Sequence, residues 1–286
     1  MLLLFMKEFW KNRIAILGLL IVLAIIFCGV FAPLLAPNDP LKVDLRKRLL
    51  SPSKNHLLGT DGFGRDIMSR IIWGSRISLQ VGIVAVGISS LLGVLLGLIS
   101  GYYSGAIDTL IMRVVDVMLS FPTILLALAI MAALGSSLTN VMIAVGVTLA
   151  PRFARLVRGS VLSVRELDYI QAARALGMSN ARIIVLHVFP NVTAPIIVLA
   201  TLNVSYAILA EASLSFLGLG VRPPTPTWGG IISDGRAFLD IAPWISLFSG
   251  FAIMIAVLGF NLFGDGLRDA LDPWLRGLRG DRKIKE

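Results

Sequence analysis

The stretch RELDYIQAARALGMSNARIIVLHVFPN (165–191) is the key to this chain, because it is charged and alanine-rich while strongly apolar segments lie on both sides. Ser163 followed three residues later by Glu166 is the capping-box pattern that begins a helix. Gly177 is well placed for the left-handed residue that ends one. The intervening apolar side chains recur every third position on one face, at Leu167, Ile170, Ala173 and Leu176. The pattern predicts a helix over about residues 164–176.

A helix of this length is marginal in water and needs packing to be stable. It contains three small residues that would let another backbone approach closely: Ala172, Ala173 and Ala175. This composition favours a docking helix for a cytosolic partner, with an amphipathic loop lying on lipid as the alternative. Beyond it, Ser179 or Asn180 is placed to cap a second helix, and Pro190 suits the first turn of the next span.

The rest of the chain has the composition of a membrane protein. Of its 286 residues 56% are hydrophobic and 15% are charged, against about 25% charged in soluble domains. A transmembrane helix needs about 20 apolar residues, and LGSSLTN (134–140) divides an uncharged stretch that is too long for one crossing. The sequence predicts an all-α integral membrane protein with six transmembrane helices, at about 14–34, 77–100, 109–134, 138–158, 190–211 and 243–264.

Lysine and arginine set the expected orientation, since they concentrate on the cytoplasmic side. With the N-terminus inside, that side holds Lys7, Lys11 and Arg13, the C-terminal cations, and Arg113, Arg152, Arg155, Arg158, Arg165, Arg174 and Arg182. The chain then divides into a cytoplasmic segment 1–13, the first helix 14–34, an extracytoplasmic loop 35–76, a core 77–264 and a cytoplasmic tail 265–286. The core contains a cytoplasmic loop 159–190 and an extracytoplasmic loop 212–242. Loop 35–76 also carries several cations, but long loops follow the rule less strictly.

Several functions are disfavoured by the residues themselves. The net charge of +9 comes from cations that flank the spans, so anionic membrane lipid is expected as their partner rather than nucleic acid. The chain lacks a phosphate-binding Gly-x-x-x-x-Gly-Lys-Ser/Thr loop and the His-Glu-x-x-His and Gly-x-Ser-x-Gly motifs, so no enzyme activity or bound cofactor is expected. His56 and His187 fall on opposite sides of the membrane in this topology, so no metal site is expected. The single cysteine, Cys28, is expected to be a small apolar residue of the first span.

Small residues and prolines within the spans indicate where helices pack or bend. Gly93, Gly97 and Gly101 are spaced four apart, which either lets another helix approach closely or only tolerates small residues. Three prolines within or at the edge of a span either allow motion or impose fixed bends: Pro122, Pro151 and Pro195.

Charged residues in or near the spans are the candidates for a transport path, because such charges are costly in lipid. Arg113 and Asp116 are three residues apart and are expected to pair. Glu211 closes the fifth span and is expected near the outer surface. Asp116 and Glu211 are therefore candidates for the path, with structural or interfacial pairing as the alternative.

The outer loop contains LGTDGFGRD (58–66), whose glycines and aspartates favour turns. Carboxylates and cations of this region are expected to pair across an interface with a partner outside the cell: Asp61, Arg65, Asp66 and Arg70. A purely structural lid over the outer mouth is the competing interpretation.

The segment YIQAARALGMSNARIIVLHVFPN (169–191) resembles the EAA motif of the permease subunits of ATP-binding-cassette importers. Gln171, Ala172, Ala173 and Gly177 stand at its leading positions, and Phe189 with Pro190 closes it. Gln171 replaces the usual glutamate and removes its charge. Further stretches resemble the dipeptide, oligopeptide and nickel branch of that family, particularly the second permease subunit: 56–79, 112–128, 213–229 and 259–273.

The resemblance implies a type I importer fold and a heteromeric complex in the bacterial or archaeal inner membrane. A homologous second permease, two cytosolic ATPases that bind ATP and Mg, and an extracytoplasmic solute-binding protein are the implied partners. The implied ATPase-docking coupling helix carries Gln171, Ala172, Ala173, Arg174, Leu176 and Gly177. The resemblance implies that the chain forms half of the translocation pathway for di- or oligopeptides, the commoner substrate of this branch, with nickel as the alternative, since the residues alone do not separate the two. A secondary transporter driven by an ion gradient is the rival class, but no internal repeat or midplane acid pair is evident.

Overall fold

A computed structural model of the protein describes residues 9–271. The helices are α1 (Arg13–Val30), α2 (Ala32–Leu35), α3 (Ile67–Tyr103), α4 (Gly105–Ser120), α5 (Thr123–Leu134), α6 (Leu138–Val164), α7 (Asp168–Ala175), α8 (Asn180–Ile183), α9 (Phe189–Phe216), α10 (Trp228–Gly235) and α11 (Trp244–Leu271). Short 3₁₀ turns occupy Leu45–Lys47 and Arg236–Phe238, and a π-helical segment occupies Ile184–Val188. The described part of the chain contains no strand beyond one isolated bridge between Thr60 and Asp66, so the all-α prediction is confirmed.

Five helices are long and apolar enough to cross a membrane, namely α1, α3, α6, α11 and the continuous helix from Asn180 to Phe216. A sixth span arises if α4 and α5 are taken together, but these two helices meet at 96°. The span expected over about 109–134 is therefore sharply bent, at one of the three prolines that the sequence marks as possible bends. Pro122 explains the break, because proline cannot donate the backbone hydrogen bond that would continue α4.

Helix boundaries depart from the sequence-based ones mainly at the polar ends. The expected loop 35–76 ends earlier, because α3 begins at Ile67 with Asp66 as its N-cap, whose carboxylate accepts from the Ser69 N–H. At the other membrane face, α6 extends to Val164. Residues 1–8 and 272–286, which include Lys7 and most of the C-terminal cations assigned to the cytoplasm, lie outside the described residues.

The centre of the bundle is the contact between α3 and α6, and the stripe of glycines lies in it. A Cβ atom at Gly93 would lie 2.4 Å from the Ala150 carbonyl oxygen, and one at Gly97 would lie 2.7 Å from that of Ala154. Only glycine allows backbones to approach so closely. Of the two interpretations of this stripe, helix packing is therefore confirmed.

The loops gather at two opposite ends of the bundle. At the long-loop end, residues 31–66 meet residues 217–243, as the 3.1 Å contact between Arg65 Nη2 and Asp234 Oδ2 shows. At the other end, called here the EAA end, residues 165–188 lie against the end of α3, where Arg165 Nη1 donates to the Gly101 carbonyl at 2.9 Å.

Candidate functional site

The EAA segment (residues 165–190) contains a docking helix that is shorter than the sequence pattern predicts. Helix α7 begins at Asp168, after an extended Leu167, and not near residue 164. The expected capping box does not form, because α6 continues through Ser163, whose hydroxyl donates to the Gly159 carbonyl at 3.4 Å. Glu166 instead accepts from Arg165 at 2.9 Å.

The end of α7 matches the expectation. Gly177 has φ +76°, its N–H donates to the Arg174 carbonyl at 3.0 Å, and the Met178 N–H donates to the Ala173 carbonyl at 3.2 Å. This pair of hydrogen bonds is the Schellman motif, which needs a left-handed residue and so favours glycine. It turns the chain back toward the bundle, where α8 begins after Ser179. The helix thus begins where the sequence predicts, but neither Ser179 nor Asn180 caps it with a side-chain hydrogen bond.

One face of α7 packs against the protein's own helices. Ile170 and Ala173 are buried, together with Ile183 and Val188, against apolar residues of α3 and α6: Leu98, Tyr102, Val157 and Val161. Ala173 is only 7% exposed. The expectation that all three alanines form a free docking surface is therefore wrong for Ala173, because its methyl group fills this internal contact.

The opposite face of α7 is open to solvent or to a partner. Leu176 is 86% exposed and Tyr169 is 43% exposed, although the periodicity had placed Leu176 on the same face as Ile170. The turn at Gly177 explains the difference, since Leu176 has left the helix as its C-cap. Gln171, Ala172 and Arg174 are also exposed. With Leu167, which is 45% exposed, three large apolar side chains are thus exposed on and beside α7.

Polar contacts hold the EAA segment to the bundle. The guanidinium of Arg165 also reaches the Ser104 hydroxyl, and the Tyr102 hydroxyl donates to Asn180 Oδ1 at 3.0 Å. Nearby, Arg158 donates two hydrogen bonds of 2.6 Å to the carboxylate of Asp108. Such paired bonds fix orientation as well as distance. The sequence analysis missed these contacts, because each joins residues that are distant along the chain.

The connection from α8 to α9 is helical throughout but passes through the π segment Ile184–Val188. Pro190, in the first turn of α9 as expected, has no N–H to donate to the preceding turn. Next to it, the side-chain amide of Asn191 donates to the His187 carbonyl at 2.7 Å. The EAA segment is therefore joined to the fifth span without a flexible linker.

The four residues that the sequence suggested as interface charges are buried: Asp61, Arg65, Asp66 and Arg70. Asp61 accepts from Arg65 Nε at 2.6 Å and lies 3.5 Å from Arg70 Nε. Both arginines also approach Asp234, at 3.1 Å and 3.7 Å. Asp66 contacts His56 Nδ1 at 2.9 Å. These groups compensate one another's charge within the chain, which favours the structural interpretation; contact of this loop with a binding protein stays a prediction.

The two path candidates lie in different surroundings. Asp116 is exposed and pairs with Arg155 at 2.6 Å, not with Arg113, because α4 crosses α6 and brings the more distant arginine closer. Glu211 is fully buried, and its Oε1 accepts from the Ser215 hydroxyl at 2.7 Å. It therefore lies inside the subunit and not on a surface that a substrate would meet. A third charged residue, Arg152, lies near the middle of helix α6, and its assignment to the cytoplasmic side stays a prediction.

A bundle of five to six spans, with the EAA segment packed on one end and exposing apolar side chains there, is an architecture expected of a transporter's membrane-spanning subunit. A family model described as "Binding-protein-dependent transport system inner membrane component" matches residues 93–277, and one described as "N-terminal TM domain of oligopeptide transport permease C" matches residues 1–52. The chain belongs to this family of inner membrane permease components, as its EAA segment indicated.

Similar proteins agree with this assignment. The chain is 53% identical to the dipeptide transport system permease protein DppC of Alkalihalophilus pseudofirmus, over 94% of this chain and 89% of the relative. It is 45% identical to the di/tripeptide transport system permease protein DppC of Pseudomonas aeruginosa, over 95% and 93%. An inward-facing structure of the MetNI methionine ABC transporter matches with a TM-score of 0.59 at 17% identity, over 72% of this chain and 98% of that chain. The fold is that of a type I ABC importer transmembrane domain.

Proposed function

We propose that this chain forms half of the translocation pathway of an ATP-driven importer for di- or oligopeptides. A homologous second permease supplies the other half, two cytosolic ATPases bind ATP and Mg, and an extracytoplasmic binding protein delivers the peptide. The names of the relatives support a peptide substrate. In this proposal the EAA end and both termini are cytoplasmic, and the long-loop end faces the binding protein.

The observation that carries the proposal is the set of exposed apolar side chains on and beside α7, namely Leu167, Tyr169 and Leu176. Exposed apolar side chains that are grouped together mark a surface for contact with another protein or a membrane. The opposite face of α7 is packed on α3 and α6, so a force applied to Leu176 would reach the membrane helices. Gln171 and Arg174 are exposed polar residues of the same helix, and the exposed methyl group of Ala172 lies between them in sequence.

The test is a Leu176→Asp substitution in the assembled transporter. A buried aspartate without a partner would cost several kcal/mol at the ATPase contact, so the ATPases should no longer co-purify with the permeases. Leu239→Asp is the matched control, because Leu239 is an exposed leucine at the long-loop end. Its complex should retain the ATPases. Normal co-purification of ATPases with Leu176→Asp would contradict the assignment of the EAA segment as coupling element.

Two further measurements bear on the same proposal. Gln171→Glu restores the residue usual in the EAA motif on an exposed position and should leave ATPase binding unchanged. The purified permease without partners should not hydrolyse ATP, because its sequence has no phosphate-binding loop; hydrolysis by this chain alone would contradict the division of roles.

A further inference from the structure

Arg152 carries a positive charge near the middle of helix α6, inside the segment 138–158 that the sequence assigns to a membrane span. It lies in α6, Leu138–Val164, roughly 20 Å from either end of the helix at 1.5 Å per residue. An arginine at that depth is costly in contact with lipid and is found facing the bundle interior or a water-filled space. Arg152 is partly exposed on the surface of this subunit. The surface around it is therefore not expected to face lipid.

The contacts of Arg152 are unlike those of its neighbours on α6. Arg155 and Arg158 each have a carboxylate at 2.6 Å, whereas no carboxylate within residues 9–271 pairs with Arg152. Its Nη2 lies 3.5 Å from the Thr123 hydroxyl, and its guanidinium carbon lies 4.7 Å from the centre of the Tyr206 ring. Both are neutral groups, and the hydroxyl contact is at the long limit for a hydrogen bond. The hydrogen-bonding capacity of the guanidinium is therefore largely unused.

A second feature marks the same surface independently. The break between α4 and α5, at Phe121 and Pro122, directly precedes Thr123. Non-helical backbone at membrane depth is tolerated only where it is covered by protein or lines a water-filled cavity. Phe121 is 54% exposed, so this subunit alone does not cover the break. The uncompensated charge and the helix break together identify a surface that faces water or the partner permease.

We propose that Arg152 lines the translocation pathway and binds the terminal carboxylate of the passing peptide. The inference rests on the proposed function. A guanidinium presents a planar set of N–H donors that matches a carboxylate with two hydrogen bonds, and every unblocked peptide is ionised at its C-terminus at neutral pH. Between passages the guanidinium rests on Tyr206 and Thr123, whose weak contacts are easily exchanged for a carboxylate.

A permanent ion pair with a carboxylate of the partner permease is the other possible use of this charge. The structure favours the substrate, because Arg152 is already oriented by α5 and α9 of its own chain and needs no partner to hold it. A pathway residue must also bind weakly enough to release its cargo. A partly exposed arginine that contacts neutral groups meets that condition better than a fixed pair.

The first test uses the complete transporter in proteoliposomes and measures peptide imported per ATP hydrolysed. Arg152→Gln should lower this ratio by about tenfold, the effect of losing one hydrogen bond to a charged group. Arg152→Lys should restore part of it, because the charge returns without the planar donors. Arg13→Gln, an exposed arginine at the start of α1, is the control and should keep the wild-type ratio.

The outcomes separate this inference from the function on which it rests. If the wild-type complex imports no peptide, the proposed function fails. If it imports peptide and Arg152→Gln keeps the wild-type ratio, only the role of Arg152 is overturned. Loss of the second permease during purification of Arg152→Gln would identify a permanent ion pair between the permeases, which also overturns the role proposed here.

The second test measures water access directly. In a protein whose native cysteine is replaced by serine, Thr123→Cys should react with a membrane-impermeant thiol reagent, and transported peptide should slow that reaction. Leu20→Cys, on an exposed apolar position of α1, is the control and should not react. Failure of Thr123→Cys to react in both resting and ATP-hydrolysing complexes would show that this surface is not part of an aqueous pathway.

Discussion

The charge cluster at the long-loop end gives the most quantitative prediction. The carboxylate of Asp61 is 1% exposed and accepts from the backbone N–H groups of Phe63 and Arg65 as well as from Arg65 Nε. Asp61→Asn keeps the side chain's shape but removes its charge, so Arg65 and Arg70 lose their nearest buried counterion. Breaking a buried ion pair costs about 3–5 kcal/mol.

Asp234 lies beside the same arginines but is 41% exposed. Because it remains in Asp61→Asn, the lower end of that range, about 3 kcal/mol, is expected for the opening of residues 59–66. Asp234→Asn should cost about 1 kcal/mol or less, since water can approach the site. The order of the two effects follows from burial alone.

Amide hydrogen exchange in lipid nanodiscs measures this local opening. Exchange at residues 59–66 should become about a hundredfold faster in Asp61→Asn, at about 1.4 kcal/mol per factor of ten, and only several-fold faster in Asp234→Asn. Amides of α5, which lies outside the cluster, serve as the internal control. Equal effects of the two variants on residues 59–66 would refute the reasoning, because they would show that burial of Asp61 contributes nothing.

Three other predictions follow from contacts already described. Gly97→Ala should lower the thermal unfolding temperature, because the added Cβ would collide with α6. Gly159→Ala should leave that temperature unchanged or raise it, since its added Cβ has no neighbour within 4 Å; equal shifts would contradict the packing of α3 on α6. In a protein whose native cysteine is replaced, Lys54→Cys and Ala172→Cys should react with membrane-impermeant thiol reagents added on opposite sides of the membrane. Reaction of both variants from the same side would refute the topology. Ala173→Glu should disorder α7, seen as faster amide exchange there, while Ala172→Glu should leave α7 folded; similar exchange in both would contradict the packing of Ala173.

The sequence was sufficient to predict the features that depend on local pattern. Apolar runs located the five long spans, the turn at Gly177 followed from the need for a left-handed residue, and Pro122 marked the break in the bent pair α4 and α5. The spacing of the glycines matched a close helix contact, although the partner helix was not predictable. Each of these features is set by residues a few positions apart.

The features that sequence reasoning missed depend on which helices are neighbours. Asp116 pairs with Arg155 instead of Arg113 because α4 crosses α6. The charges near residue 61 were expected to form an exposed interface, because one of the carboxylates that pair with them, Asp234, lies 169 positions after Arg65 in the sequence. The capping box at Ser163 failed because α6 is stabilised by packing on α3 beyond the point where local signals favour a new helix.

The packing of α7 also connects the two proposals. Ile170 and Ala173 contact the buried face of α6 near Val157 and Val161, and Arg152 lies on the same helix, about one and a half turns before Val157 at 3.6 residues per turn. A helix packed in this way moves as a rigid body between discrete arrangements. Displacement of α7 by an ATPase would therefore move α6, and with it the guanidinium, relative to Thr123 and Tyr206. Coupling of ATP hydrolysis to peptide release requires such a connection, and disorder of α7 in Ala173→Glu would interrupt it at its first contact.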